Sequence, residues 1–221
     1  MNSIDNLRPI SLLSGLSKAF EKLLKGQMCV YLKERDLLSD QQAGFREGQG
    51  VNTALLRVYD DIAVVVDRKQ NAALLLLDFS KAFDTISHRR LCFKLASRFR
   101  FQYTAIELIR SYLTGRTQSV FCRNTHSSKL DVTSGVPQGS VLGPLLFSMY
   151  INDLPNVPPP YCSVQMFADD VQLICLNPHL TADDLIHLIN QDLQRVVHWA
   201  KNNSLKLNPR KITSYFRYEP S

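Results

Sequence analysis

The sequence predicts an α+β fold in which a four-stranded antiparallel sheet is backed by helices. Three observations carry this. Ala72–Leu77 reads Ala-Ala-Leu-Leu-Leu-Leu between Asn71 and Asp78, an apolar run too short for a helix and therefore a buried strand. Residues 163–176 hold two strand-like runs that meet at Asp169-Asp170, as in a hairpin. A helical stretch over residues 181–200 then leads to a last strand over residues 212–217. With the helices that follow Asp84, the order is strand, helices, strand, strand, helix, strand. That is the split β-α-β-β-α-β arrangement, whose first and third strands are neighbours at the sheet centre.

Each element follows from local chemistry. Pro9 disfavours the helical region for the residue before it, so Arg8 is displayed from extended backbone. Leu16, Phe20, Leu23, Leu24 and Met28 or Val30 recur at helical spacing, with Lys18, Glu21, Lys22 and Lys25 expected to face outward. Residues 41–50 contain Gly44, Gly48 and Gly50 and read either as a flexible connector or as a loop that allows close backbone approach. Asn52 or Thr53 caps a helix that carries Leu55, Val58, Ile62, Val65 and Val66 towards a core. Two amphipathic helices are expected over residues 87–99 and 104–113, the second stopped by Gly115. Residues 116–123 and 129–133 alternate as a hairpin.

Ser134-Gly135-Val136-Pro137-Gln138-Gly139-Ser140 is a turn-forming segment that opens an apolar helix over residues 142–152. Such a helix start presents N–H groups suited to a phosphate or a base edge, although Pro-Gln-Gly by itself is only a turn. Residues 155–160, with three consecutive prolines, form a stiff connector. Thr181 and Asp184 cap the long helix that follows, with Leu185, Ile189, Leu193, Val196, Val197 and Ala200 on one side.

The totals bound the function classes. A chain of 221 residues, 45% of them apolar, holds one domain or two small subdomains sharing a core. A net charge of +6 permits an anionic partner. Lys81, Arg89, Arg90, Lys94, Arg98, Arg100, Arg110 and Arg116 are opposed only by Asp84 and Glu107 over that stretch, yet such a run alone is usually a solvated helix face. The five scattered cysteines include no C-x-x-C pair and suggest neither a zinc site nor a disulfide framework; a reducing compartment fits them best. Neither a signal pattern nor a bilayer-length apolar run is present, so no membrane association and an intracellular location are expected.

The acidic residues carry the chemistry. A tight hairpin favours Asn-Gly or Asp-Gly, whereas two charged carboxylates about 4 Å apart repel by roughly 4 kcal/mol at an intermediate dielectric. A divalent cation would turn that cost into a site; the plain alternative is two acids in water at a loop. Asp78 directly follows a buried strand, where ligands gather in mixed folds, though it would also serve as a helix cap. The predicted topology brings Asp78 towards Asp169 and Asp170, so three carboxylates are expected to converge. Hard oxygen ligands without His or Cys select Mg²⁺ or Mn²⁺ over zinc and suit phosphoryl transfer.

Three stretches of this sequence closely resemble consecutive motifs of reverse transcriptases: Leu77-Asp78-Phe79-Ser80-Lys81-Ala82-Phe83-Asp84, the run from Ser134 through Gln138-Gly139 to Phe147, and Phe167-Ala168-Asp169-Asp170. Arg8-Pro9-Ile10-Ser11-Leu12-Leu13, Gln42-Ala43-Gly44-Phe45-Arg46 and Asn208-Pro209-Arg210-Lys211 resemble flanking motifs of non-LTR, LINE-type retrotransposons of the jockey-like kind. The resemblance covers nearly the whole chain. It implies a right-hand polymerase fold, with a fingers-like part over residues 1–70 and a ferredoxin-like palm over residues 71–221. Thumb and endonuclease regions would belong to a longer polyprotein.

By the same resemblance, Asp78 and Asp169 are the principal metal ligands, Asp170 the third carboxylate and the Phe79 carbonyl a further ligand. Phe83 matches the steric gate against a ribose 2′-hydroxyl. Gln138 and Gly139 would contact the nascent base pair and incoming nucleotide, Arg8 the triphosphate, and Lys211 the leaving pyrophosphate, which it would protonate. Ile212 stands where relatives more often have threonine. The implied activity is RNA-directed DNA polymerisation, a nucleotidyl transfer of dNTPs onto a DNA primer over an RNA template, with Mg²⁺ or Mn²⁺ as cofactor and the nucleus and cytoplasm as location. An inactive nucleic-acid-binding remnant is the competing expectation. An RNA-dependent RNA polymerase would show Gly-Asp-Asp and no bulky gate, against Phe167-Ala168-Asp169-Asp170 and Phe83 here.

Overall fold

The computed structural model describes residues 10–46, 48–68, 71–177, 180–209 and 213–217. In chain order the elements are α1 (Gly15–Glu34), α2 (Val51–Asp67), β1 (Ala72–Leu77), α3 (His88–Ser97), α4 (Tyr103–Leu113) and the short strands β2 (Thr117–Gln118), β3 (Phe121–Cys122), β4 (Thr125–His126) and β5 (Leu130–Asp131). Then come α5 (Gly143–Ile151), β6 (Cys162–Phe167), β7 (Asp170–Leu176), α6 (Ala182–Asn202) and β8 (Thr213–Arg217). No helix among the described residues is long and apolar enough to cross a membrane.

Two compact units result, each built from two chain segments: Met1–Leu37 with Phe83–Met149, and Leu38–Ala82 with Tyr150–Ser221. The second unit holds the main sheet, in the order β6-β7-β1-β8 with every pairing antiparallel. This is the predicted split topology, with the first and third strands of the repeat, β1 and β7, side by side at the centre. Along β1, Ala73, Leu75 and Leu77 are buried and their neighbours half-buried. A strand covered to some degree on both faces has no need of polar alternation, which is why it reads as an unbroken aliphatic run. Helix α2 packs on β6 and β7, and α6 on β1.

Helix α6 begins as expected. The Thr181 hydroxyl accepts from the Asp184 N–H at 3.2 Å, and Leu185, Ile189, Val196 and Ala200 are buried. The Tyr161 hydroxyl donates to the Asp192 carboxylate, and burial first, then that bond, raises its pKa above the ordinary phenol value. Cys162 and Cys175, opposite each other in the β6–β7 register, are joined by a disulfide, contrary to the expectation drawn from cysteine spacing. Cys29, Cys92 and Cys122 are free.

In the first unit α3 and α4 pack together, and Leu91, Leu95, Ile109 and Leu113 are buried. The expected hairpin over residues 116–133 is present as two nested pairs, β2 with β5 and β3 with β4, each only two residues deep. Helix α1 departs from its expected orientation. Leu16, Phe20 and Leu23 are exposed, while Glu21 is completely buried with Met28 and Leu32.

Candidate active site

Within the sheet-bearing unit, pairing of Leu77 with Val171 sets the end of β1 beside the start of β7. Asp78 leaves the first strand and Asp170 opens the second, so the carboxylates expected to cooperate occupy adjoining strand ends. The acidic pair is not, however, the hairpin turn itself. Phe167 pairs with Asp170, and the two-residue loop is Ala168-Asp169. Asp170 is therefore a strand residue, and it is exposed, whereas Asp78 and Asp169 are half-buried.

The loop is held in an uncommon conformation. Ala168 has φ +56° and Asp169 is not in the positive region, the pattern of a type II′ turn, whose first central position normally takes glycine. An L residue in the left-handed region costs about 1–2 kcal/mol. Gln42 offsets this: its Oε1 accepts from the Ala168 N–H at 3.1 Å and its Nε2 donates to the Ala168 carbonyl at 3.2 Å. The segment around Gln42 also extends the sheet edge, with Met166 N–H donating to the Gln41 carbonyl at 2.7 Å and Ala43 N–H to the Met166 carbonyl at 2.8 Å. Of the two readings of residues 41–50, the close backbone approach is realised at Gly44, against Ala168, and the flexible connector is not, since Gln42 pairs with Met166.

Asp78 has its own support. Residues 78–80 run antiparallel to residues 206–208, with the Asn208 N–H on the Asp78 carbonyl at 2.8 Å and the Ser80 N–H on the Lys206 carbonyl at 2.8 Å. The Asn208 Nδ2 donates to the Asp78 carboxylate at 3.2 Å. That pairing uses the Asp78 carbonyl and leaves out the carbonyl of Phe79, whose buried ring lies against Trp199. Among the described residues no three Asp, Glu, His or Cys side chains are gathered into a group able to hold a metal ion, so the expected convergence of three carboxylates is not realised as one cluster. The donors still fit Mg²⁺, which takes one or two protein carboxylates and completes its octahedron with water and substrate phosphate oxygens.

The other expected contacts belong to the first unit. Phe83 lies in a 3₁₀ turn, Ala82–Asp84, and its half-buried ring stacks on the fully buried Phe147 with centroids 4.4 Å apart and planes 23° from parallel. The Ser134 to Ser140 loop is bound to the same turn: Val136 N–H donates to the Phe83 carbonyl at 2.9 Å, Gly135 N–H to the Ile86 carbonyl at 2.8 Å, and the Ser134 hydroxyl to the Asp84 carbonyl at 2.9 Å. Gly135, at φ +84°, has no room for a Cβ, which would fall 2.8 Å from Asp84 Cα.

Gln138 is fixed twice, its Nε2 donating to Asp84 Oδ1 at 2.8 Å and its carbonyl accepting from Ser11 N–H at 2.8 Å. Gly139, exposed and at φ +92°, has a backbone conformation that other residues rarely adopt. Behind the loop, Glu21 Oε2 accepts from the N–H groups of Val141 and Leu142 at 2.7 and 3.1 Å, satisfying donors at the start of α5. Arg8 and Lys211 lie outside the described residues.

Sequence reasoning passed over Gln42, Asn208, Asp84 and Glu21 as holders of this machinery. The first three sit inside motifs quoted for the resemblance, which was the available signal. Glu21 had none, because helical periodicity assigned it to the outer face.

The chain matches the reverse transcriptase (RNA-dependent DNA polymerase) family over residues 2–219. It is 34% identical over 219 residues to the probable RNA-directed DNA polymerase from transposon BS of Drosophila melanogaster, a match covering 95% of this chain and 23% of that protein. With the RNA-directed DNA polymerase from mobile element jockey of Drosophila funebris it shares 29% identity, over 96% of this chain and 23% of the relative. The chain thus spans about a quarter of the length of these relatives. Among solved structures, apo telomerase from Candida tropicalis superposes with a TM-score of 0.65 at 13% identity, over 93% of this chain and 41% of that one, a likeness of fold. The family match, the insect relatives and the shared fold agree: this chain belongs to the reverse transcriptase family, as a reverse transcriptase domain of the non-LTR retrotransposon kind.

Proposed function

We propose that the chain is the polymerising part of a retrotransposon RNA-directed DNA polymerase, adding dNTPs to a DNA primer 3′-hydroxyl over an RNA template. The observation that carries this reading is the β1–β7 pairing, which sets Asp78 and Asp169-Asp170 at adjoining strand ends in a member of this family. The four-stranded sheet, within residues 71–221, belongs to the palm, and residues 1–70 contribute to the fingers. Asp78 and Asp169, with Asp170 and the Phe79 carbonyl, would hold Mg²⁺, or Mn²⁺ in its place. When bound, a pair of such ions activates the primer hydroxyl and neutralises charge at the leaving pyrophosphate.

The remaining roles belong to the chain's own groups. Phe83, braced by Phe147, excludes a ribose 2′-hydroxyl. Gln138, oriented by Asp84, and Gly139 address the nascent base pair and the incoming nucleotide. Arg8 offers a guanidinium fork to the triphosphate, and Lys211 supplies a proton to the pyrophosphate. The basic residues of α3 and α4 hold the nucleic-acid backbone, a contact that weakens with salt. Thumb and endonuclease regions belong to a longer polyprotein that works inside the cell, in cytoplasm and nucleus.

Primer extension on an RNA template tests the reading. Mg²⁺-dependent incorporation of dNTPs is expected, and Asp169→Ala should lower the rate by about 10³-fold or more, on the scale of losing a principal electrostatic contributor to catalysis. Equal activity of that variant would remove the metal assignment, and an intact chain that binds template without extending it would mark an inactive remnant. Phe83→Ala should raise ribonucleotide incorporation by about 10-fold or more, since a ring that blocks a hydroxyl discriminates by roughly 1–3 kcal/mol. An unchanged ratio of dNTP to rNTP use would remove the gate.

A further inference from the structure

Gln42 is 2% exposed, and both polar atoms of its carboxamide bond to backbone. Oε1 accepts from the N–H of Ala168 and, at 2.8 Å, from that of Gly44, while Nε2 returns a bond to the Ala168 carbonyl. One side chain thus pairs with both polar groups of a single residue, as a neighbouring strand would. That residue is the one in the turn with positive φ, and the next carboxylate along the chain is Asp169. The approach is close on the other side as well, because a Cβ at Gly44 would lie 2.2 Å from Ala168 N and 2.9 Å from Ala168 Cα.

We infer that Gln42 is a positioning residue for Asp169, fixing the Ala168 peptide so that the carboxylate is aimed before any ligand arrives. The inference rests on the proposed function, since it concerns the same carboxylate. Gln42 acts through the backbone of Ala168 and contributes no ligand atom, both its polar atoms being spent on the turn and on Gly44. A buried polar side chain with two of its three bonds directed at one residue of a turn, on the N–H before it and the carbonyl after it, does more than fill space. Leaving that turn to an unassisted alanine would spread the direction of Asp169 over several conformations.

The test compares the wild-type chain with Gln42→Met, Gln42→Glu, Asp169→Asn and the double variant Gln42→Met/Ala168→Gly. Mn²⁺ alone is titrated and read by electron paramagnetic resonance, and the Mg²⁺ dependence of primer extension is measured in parallel. Removing a partner of this kind typically costs about 10–100-fold in metal affinity or activity. Gln42→Met is therefore expected to weaken Mn²⁺ binding about tenfold or more and to raise the half-saturating Mg²⁺, with kcat falling further than KM for dNTP rises. Glycine at 168 accepts positive φ without help, so the double variant should recover most of that loss, which a merely structural role of Gln42 would not give.

Wild-type Mn²⁺ affinity in folded Gln42→Met, or no recovery with Ala168→Gly, overturns the inference. Should Gln42→Met fail to fold, Gln42→Glu decides: it keeps the accepted bonds and loses the donated one, and Mn²⁺ affinity equal to or above wild type overturns the inference. Loss of Mn²⁺ in Asp169→Asn beside an unaffected Gln42→Met sinks the positioning role alone. Undiminished Mn²⁺ in Asp169→Asn sinks the site, and the positioning role with it.

Discussion

The hairpin turn of one unit and the Ser134 to Ser140 loop of the other are held by opposite chemistries. At the hairpin, neutral amides hold the acidic region: Gln42 grips the turn before Asp169, and Asn208 donates to Asp78. In the loop, carboxylates hold amides: Asp84 takes the Gln138 side chain, and Glu21 takes the N–H groups of Val141 and Leu142. On the proposed function the difference has a reason. A carboxylate meant for a cation is served by amide donors, which orient it without adding charge of their own. Amides meant for a base pair carry no net charge to protect, so they can be pinned by charge-assisted bonds, about twice as strong as neutral ones. Both loops share one device, a glycine pressed against backbone, Gly44 on Ala168 and Gly135 on Asp84.

The comparison can be broken by exchanging the holders. Asn208→Asp sets a second charge against Asp78, and at an intermediate dielectric two charges about 4 Å apart repel by up to about 4 kcal/mol. This should be the largest effect, read by urea unfolding together with loss of primer extension.

Gly44→Ala comes next. Its Cβ would meet backbone rather than a yielding side chain, so a cost of about 3 kcal/mol is expected, at the upper end for overpacking. A urea midpoint within error of wild type would mean that the Gln42 segment is not docked as described. The smallest effect should come from the reverse exchange, Asp84→Asn. It trades a charge-assisted bond for a neutral one at a cost of about 1 kcal/mol, visible mainly as a lower kcat/KM for dNTP. If Asp84→Asn proved as damaging as Asn208→Asp, the contrast between the two loops would fail.

The sheet was largely legible in the sequence. The aliphatic run at Ala72–Leu77, the hairpin and the capped helix from Thr181 all fall where local patterns place them, because each buries a surface that composition alone identifies. The turn was legible only to within one residue. Nothing about alanine signals a positive φ, and the conformation of Ala168 is imposed by Gln42, 126 positions away in sequence. Periodicity likewise placed Glu21 outside, since the partners that bury it are N–H groups of a loop more than a hundred residues downstream. The Cys162–Cys175 bond was hidden for a related reason: spacing does not reveal that the hairpin register sets the two opposite each other. What sequence patterns missed were contacts that only the folded register creates, across the β6–β7 hairpin and between segments distant in the chain.

The central position of β1 also has a consequence for how the chain is made. Both strands that flank it come later, and Leu77 leaves the ribosome about ninety residues ahead of its partner Val171. At synthesis rates of roughly 5–20 residues per second, a stretch of four consecutive leucines waits on the order of 5–20 seconds before it can be paired. During that interval the strand that later supports Asp78 is an unpaired apolar segment open to wrong pairing.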